Sequence, residues 1–387
     1  MIVEPKVKGF ICTTAHPTGC EKNVERQIEY VKEKGAINGA KKVLVIGAST
    51  GYGLASRITA AFGMQAATIG VSFEKEASGK RTATPGYYNN RAFDKKAQEN
   101  GLYARTINGD AFSKEVKDEV IALIKKDLGK VDMVIYSLAA PRRTTSDGVT
   151  YTSTLKTVGE AFTQKNWNLR DDTVNEATIP VADENEILST VKVMGGEDWS
   201  DWIDALVSND VIEDNAITVA YSYIGPKLTY PIYHEVTIGR AKAHVSKTAG
   251  EITDKYSDKG IKAFVSVNKA LVTQASAAIP VVPLYLSVLY RIMKEKGIHE
   301  GCIEQMYRLY SDKVYNGSGI RTEDDGMLHV DDLEMRQDVQ EGVMKVWEEI
   351  NSDNLLSLAD TKGYWLDFYN MFGFKLEGVD YTKDVEV

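Results

Sequence analysis

Two groups of residues in this chain have the types and spacing that redox chemistry needs. The first is the run Gly47, Ala48, Ser49, Thr50, Gly51, Tyr52 and Gly53, which follows the apolar stretch VLVI and leads into LASRITAAFG. Glycines between a strand and a helix allow a tight turn, and the free N–H groups at the helix start attract a pyrophosphate. The competing reading is a glycine-rich turn that binds nothing. The second group must supply a proton, because reducing a carbonyl or a conjugated double bond requires an acid near the hydride source. Three literal Tyr-x3-Lys spacings occur, of which Tyr290 to Lys294 ends the apolar run at 275–290, well past the last expected strand. Tyr30 to Lys34 lies upstream of the glycine turn, and Tyr223 to Lys227 is interrupted by Gly225 and Pro226. A proline there opposes the helix that would bring positions i and i+4 together.

Tyr233 and Lys242, in YHEVTIGRAK, are the better pair. Nine helical steps of 100° leave them on opposite faces, so Tyr233 must precede the helix that carries Lys242. Thr237 is a natural N-cap, which starts that helix near Ile238 and puts Lys242 about one turn in. His234 is a rival acid without a local orienting partner. A chain with twenty tyrosines can also simply pack one at 233.

Other candidates fall at the ends of expected strands, where open α/β sheets bind ligands. Glu74 stands where a carboxylate accepts from an adenosine ribose hydroxyl and repels the extra phosphate of NADPH, which favours NADH; Lys75 beside it tempers that preference. Asp110 could face an adenine edge, and the small residues Ala139 and Ala140 could admit a cofactor backbone. Ordinary strand-to-helix turns explain both runs equally well. Arg142 and Arg143 read as a phosphate contact or as two solvated arginines.

The elements that position these residues alternate in character. Strands are expected at 43–49, 66–73, 103–109, 132–140, 216–223 and 262–268, with helices at 52–62, 89–100, 113–128, 198–208 and 238–258. Near-continuous apolar strands separated by helices imply βαβ crossovers with both sheet faces covered. The expected fold is therefore α/β, a Rossmann-type doubly wound parallel sheet in a single elaborated domain over 1–387. An N-terminal extension at 1–40, with a helix near 21–34, would wrap the sheet edge. An insertion at 144–196, rich in Thr, Asp and Asn, would form a lid-like segment. Residues 269–387 would supply a substrate pocket and an acidic helical tail.

Composition narrows the function classes. Forty-six basic against 55 acidic residues give a net charge of −9, which disfavours nucleic acid and anionic membrane as partners. Cys12, Cys20 and Cys302 form no CxxC pair, and the first ten residues lack a secretory pattern, so a reducing, cytoplasmic setting is expected. The run ASAAIPVVPLYLSVLY at 275–290 is too short, and too interrupted by Pro280 and Pro283, to span a membrane. No histidine, cysteine or carboxylate cluster has metal-ligand spacing.

HPTGC, GASTGYGLASRITAAFG, TIGVSFE, DAFS, YSLAAPRR, VMGGEDW, AYSYIGP, the Tyr-x8-Lys pair, AFVSVNKALVT and HEGCIEQ together resemble the trans-2-enoyl-CoA reductases and their single-chain enoyl-acyl-carrier-protein counterparts, an enlarged offshoot of the short-chain reductases. The likeness covers nearly the whole chain. It implies NADH held by Gly47, Ala48, Ser49, Thr50, Gly51, Tyr52, Phe73, Glu74, Asp110, Ala111, Leu138, Ala139, Lys242, Leu271, Val272 and Thr273. It further implies Tyr233 as proton donor, Lys242 as its partner, and Tyr223 at the substrate thioester. The reaction implied is reduction of the 2,3 double bond of a trans-2-enoyl thioester in fatty acid or butyrate-type metabolism. The carrier would be coenzyme A or, alternatively, acyl carrier protein, and the protein a monomer. The run at 275–290 would line the acyl pocket, although core packing explains it equally. A carbonyl-reducing short-chain dehydrogenase would need a usable Tyr-x3-Lys helix, and a non-catalytic NADH sensor would need no acid.

Overall fold

The computed structural model describes residues 1–387. Seven strands form one all-parallel sheet: β1 (Lys42–Ile46), β2 (Ala67–Ser72), β3 (Ala104–Asn108), β4 (Val131–Tyr136), β5 (Ile212–Ser222), β6 (Lys262–Val267) and β7 (Leu328–His329). Their order across the sheet is 3-2-1-4-5-6-7. Leu44 of β1 registers with Ile69 on one side and Val134 on the other. Val43 to Ile46 are all fully buried, which explains why the strand is apolar without alternation: it has no solvent face.

Strand order reverses between β1 and β4, so the crevice above their carboxyl ends is the natural ligand site of the fold. Helices α1 (Pro17–Lys34), α2 (Gly51–Ile58) and α3 (Pro85–Glu99) cover one face of the sheet, with Val43, Val45 and Ile135. Helices α4 (Lys114–Leu123), α5 (Glu197–Ser208) and α6 (Thr237–Lys255) cover the other, with Leu44, Ile46 and Val134. Further helices α7 (Val282–Glu295), α8 (Gln337–Glu349) and α9 (Thr361–Met371) build a separate apolar core.

The elements expected from the sequence are present with shifted ends. The third helix begins at Pro85 rather than 89, because proline is tolerated at a first helical turn. The fourth strand stops at Tyr136, and Ser137 to Ala140 form the turn beyond it. Residues 275–290 run into α7, where Val282 to Tyr290 are all buried. No helix is long and apolar enough to cross a membrane.

Residues 144–196 contain structure that their polar composition concealed. Arg142–Thr144 pairs with Thr150–Thr152, Phe162–Asn168 pairs with Thr173–Ile179, and a helix runs over Glu184–Met194. The second hairpin is fastened: the Lys165 ammonium donates to the carbonyls of Trp347, Glu348 and Ile350 at the end of α8. A cation at a helix C-terminus meets both unpaired carbonyls and the negative end of the helix dipole.

One buried ion pair joins the two halves of the sheet's second face. The Lys117 ammonium donates to Asp198 Oδ1 at 2.7 Å and to the carbonyls of Ala111 and Phe112 at 3.1 Å, while the Tyr136 hydroxyl donates to Asp198 Oδ2 at 3.0 Å. Burial pushes the Asp198 carboxyl up, and the Lys117 charge opposes that shift. Removing one partner strands the other charge, which typically costs about 3–5 kcal/mol. Asp198→Ala is therefore expected to lose about that much stability in urea unfolding, and adding Lys117→Met should restore most of it. A loss under about 1 kcal/mol in the single variant would show that the pair does not hold this face together.

Candidate active site

Every residue singled out for cofactor binding, apart from Lys242 on α6, lies at or just beyond the carboxyl end of a sheet strand. Gly47 to Tyr52 follow β1, Phe73 and Glu74 follow β2, Asp110 and Ala111 follow β3, Leu138 and Ala139 follow β4, and Leu271 to Thr273 follow β6. The parallel topology is what gathers them, since all these strand ends point the same way.

The glycine turn is shaped by backbone contact. A Cβ on Gly47 would lie 2.1 Å from the Ser137 carbonyl oxygen, and one on Gly53 would lie 1.8 Å from the Gly47 carbonyl oxygen. Gly47 and Gly51 also have φ of +87° and +54°. A Cβ on Gly51 would meet only the Thr273 methyl, at 3.9 Å, so the turn opens toward the segment after β6. Thr50 caps α2 without a side-chain hydrogen bond, which leaves helix N–H groups free. An open backbone cradle at a helix start fits a dinucleotide pyrophosphate.

Glu74 is held on three sides. The Ser49 hydroxyl donates to its Oε1 at 2.6 Å, its own N–H donates to Asn108 Oδ1 at 2.7 Å, and Asn108 Nδ2 donates to its carbonyl at 3.0 Å. Gly86 backs the carboxylate so closely that a Cβ there would sit 2.2 Å from it. Phe73 is 77% exposed, which leaves its ring available to a flat ligand. Asp110 accepts from the Phe112 N–H, at 3.0 Å.

Tyr233 lies in a single helical turn, Tyr230–Tyr233, ahead of α6, as the angular argument requires. Its ring meets that of Tyr223 edge to face with centroids 4.5 Å apart. Burial and the nearby Glu334 charge hold the Tyr233 hydroxyl above the ordinary phenol range, so it carries its proton at neutral pH. Lys242 is half-buried on α6, forms no ion pair, and is lowered by burial to about 8. His234 is exposed and stacks loosely on Tyr230.

Two sequence expectations change. Val236, not Thr237, caps α6; the Thr237 hydroxyl is taken by the Thr154 carbonyl and also accepts from the Lys156 N–H, tying the helix start to the insertion. Arg143 is neither solvated nor turned to a phosphate, for it is 6% exposed and bonded to Glu197, Asp201 and the Lys192 carbonyl. Sequence reasoning also gave no role to Glu334 and Tyr285, which meet the Tyr223 hydroxyl at one carboxylate oxygen, or to Lys269 beside the Ala270 that the same carboxylate accepts from. Lys269 sits inside the recognised AFVSVNKALVT run, but Glu334 lies in an acidic stretch, VDDLEMRQD, that reads as solvated surface.

Three family models match the chain: the NAD(P)H binding domain of trans-2-enoyl-CoA reductase over 2–79, the trans-2-enoyl-CoA reductase catalytic region over 81–315, and an enoyl reductase FAD binding domain over 322–385. The enoyl-[acyl-carrier-protein] reductase [NADH] of Flavobacterium johnsoniae is 59% identical over 385 residues, covering 99% of this chain and 97% of that protein. The trans-2-enoyl-CoA reductase [NADH] of Ruminiclostridium cellulolyticum is 56% identical over 388 residues, covering 100% and 98%. The crystal structure of Clostridium acetobutulicum trans-2-enoyl-CoA reductase in complex with NADH superposes with a TM-score of 0.97 at 47% identity, covering 100% and 98%.

Residues 322–385 do not fit a flavin dinucleotide. The starts of α8 and α9 already carry carboxylates: Asp338 is in the first turn of one, and Asp360 caps the other by accepting from the Gly363 N–H. Asp338, paired with Lys296 and Arg336, and Asp360, paired with Lys294, already occupy the positions that a pyrophosphate would need. The strand in this region, Leu328–His329, leads into Val330, Asp331 and Asp332 without a glycine turn. Val339, Val343, Trp347, Tyr364 and Phe368 fill the core against α7 and leave no cradle. With the dinucleotide turn after β1, the paired tyrosines after β5, and the catalytic-region and NAD(P)H-binding models and these relatives in agreement, the chain belongs to the trans-2-enoyl-CoA reductase family.

Proposed function

We propose that this enzyme reduces the 2,3 double bond of a trans-2-enoyl thioester with NADH, and that Tyr233 gives the proton. The observation that carries this reading is the edge-to-face pairing of Tyr223, just past the carboxyl end of β5, with Tyr233, whose hydroxyl forms no hydrogen bond to another protein group. A protonated phenol on a buried ring, with its hydroxyl free of protein partners, is the group a developing oxyanion needs.

NADH, when bound, supplies the hydride that adds to C3. Gly47 to Tyr52 would border its pyrophosphate, with the N–H groups at the start of α2 free to donate while those of Gly47 and Ala48 are taken by the Val71 carbonyl; Glu74, held by Ser49, would meet the adenosine ribose, and Asp110, Ala111, Phe73, Leu138 and Ala139 would border the rest of the dinucleotide. Leu271 to Thr273 close the nicotinamide end. Tyr233 would donate its proton to the thioester oxygen as negative charge gathers there, and the resulting enol would tautomerise, taking a proton at C2 and losing the one on oxygen, to give the saturated thioester. Lys242 holds the nicotinamide ribose, and its ammonium favours the more acidic tyrosine. Tyr223 borders the thioester.

Coenzyme A is the proposed carrier. Relatives named for the carrier-protein reaction reach 59% identity, which supports enoyl-acyl-carrier protein as the second reading, although a net charge of −9 disfavours an acidic carrier outside a local basic patch. We take the enzyme to be a cytoplasmic monomer folded as one elaborated domain, with 144–196 and 269–387 framing the substrate pocket.

The direct test follows NADH absorbance with crotonyl-CoA, beside NADPH and a simple ketone; oxidation of NADH only with the thioester is expected. Tyr233→Phe should lower kcat by about 10²–10⁴ while leaving NADH affinity within about twofold, and unchanged kcat would remove Tyr233 from the chemistry. Glu74→Ala should raise relative use of NADPH by about tenfold, because the repelling carboxylate is gone; an unchanged NADPH/NADH ratio of kcat/KM would mean selection lies elsewhere. The Lys242 ammonium is charged below about pH 8 and neutral above it. NADH affinity should therefore be flat at lower pH and weaken as pH rises through about 8, and Lys242→Arg, which stays charged, should abolish that decline. A Kd insensitive to pH across that range would contradict the ribose contact.

A further inference from the structure

Glu334, between β7 and α8, is a fully buried carboxylate far in sequence from the tyrosine pair. Its Oε1 accepts from the Tyr223 hydroxyl at 2.8 Å and from the Tyr285 hydroxyl at 2.6 Å, and its Oε2 accepts from the Ala270 N–H at 2.7 Å. Its own carbonyl accepts from Gln340 Nε2 at 2.7 Å, which fixes the residue from behind. Lys269, also buried, donates to the Ala270 carbonyl and adds a cation to the same interior. Three donors converging on two oxygens suit the ionised form.

A phenol has one proton. While the Tyr223 hydroxyl donates to Glu334, it has none to give to a thioester oxygen. Tyr233, 4.5 Å away ring to ring, keeps its proton unengaged. Two adjacent tyrosines thus differ in role because of a third residue that touches only one of them.

We propose that Glu334 is a positioning residue for the reduction: by accepting the Tyr223 proton it locks that ring against Tyr233, anchors it to Ala270, and leaves Tyr233 as the one hydroxyl of the pair with a proton to donate. The inference rests on the enoyl-reductase reading above and deepens it. It also gives the C-terminal segment a purpose, since that segment delivers the carboxylate.

Glu334→Gln separates this role from mere packing. With its oxygen toward the tyrosines, glutamine sets its NH2 against the Ala270 N–H; flipped, the NH2 faces the tyrosines and the Tyr223 proton is released. Initial rates with crotonyl-CoA and NADH are compared for wild type, Glu334→Gln, Tyr223→Phe and the double variant. The expected result is a kcat loss of about tenfold for Glu334→Gln with KM values within about twofold, and a further loss under about twofold when Tyr223 is already Phe. An equal loss in both backgrounds overturns the proposal, because Glu334 would then act through the fold. Wild-type kcat and KM in Tyr223→Phe would instead remove Tyr223 from the substrate and take the proposal with it.

Should Glu334→Gln fail to fold, the pH dependence of kcat carries the test. The titratable groups facing Glu334 are Tyr52, Tyr223, Tyr233, Tyr285 and Lys269. Burial holds the Glu334 carboxyl above the usual carboxylate range, against the pull of Lys269 and its three donors. Acid protonates it and frees Tyr223, so kcat falls as pH drops through that range in wild type and stays level in Tyr223→Phe. The same acidic decline in both proteins overturns the proposal.

Discussion

Backbone packed on backbone at the end of β1 is the constraint on which the rest of this structure depends. Gly47 rests against the Ser137 carbonyl and Gly53 against the Gly47 carbonyl, at separations where a Cβ on either glycine would overlap an oxygen. That contact draws the start of α2 into the angle between β1 and β4, the point where strand order reverses. Helix N–H groups then face a crevice bordered by the ends of the other parallel strands. Moving α2 outward by the width of a methyl group would separate the cradle from the residues that complete it.

Around that crevice the molecule buries an unusual set of charges. Arg57, Lys117, Asp198, Lys269 and Glu334 are all within the interior, Asp198 beside Tyr136, Lys269 over the ring of Tyr290, and Glu334 bonded to Tyr223 and Tyr285. Charges are costly to desolvate, so each persists only with partners. Arg57 bonds Asp94, Thr106 and the Arg105 carbonyl; Lys117 bonds Asp198 and two carbonyls; Glu334 takes three donors. Such networks have directional geometry that apolar packing lacks, and they join elements that supply site residues. Lys117 holds the turn at Ala111, and Glu334 joins Tyr223 to the segment after β6.

The parts outside the sheet are integrated by the same means. Lys165 fastens a hairpin of the insertion to the end of α8, and the Asn166 side chain accepts from the N–H of Val281, a residue at φ +70° just before α7. Thr237 ties the start of α6 to Thr154. The insertion and the C-terminal helices therefore brace each other and the two tyrosines. That bracing holds the Tyr233 ring in the core while its hydroxyl stays free of protein partners.

The amino-acid sequence by itself determined the parallel sheet, the glycine cradle and the separation of Tyr233 from the Lys242 helix. Those features are local: apolar runs set strands, glycines set the turn, and 100° per residue excludes a shared helix face. The family likeness added the residues along the strand ends, which periodicity alone could not choose. Tertiary structure alone decided the partners. Glu334 stands 111 positions from Tyr223 in an acidic stretch typical of surface, and Arg143 looked solvated until its three acceptors were in place. The hairpins in 144–196 were equally hidden, because polar side chains such as Thr163 with Thr178 and Asn166 with Asn175 bond across the strands without an apolar alternation to mark them, and Lys165 finds its acceptors only at the end of α8. A side chain's neighbours across the fold fix its proton, its charge and its burial, and no periodicity in the chain encodes them.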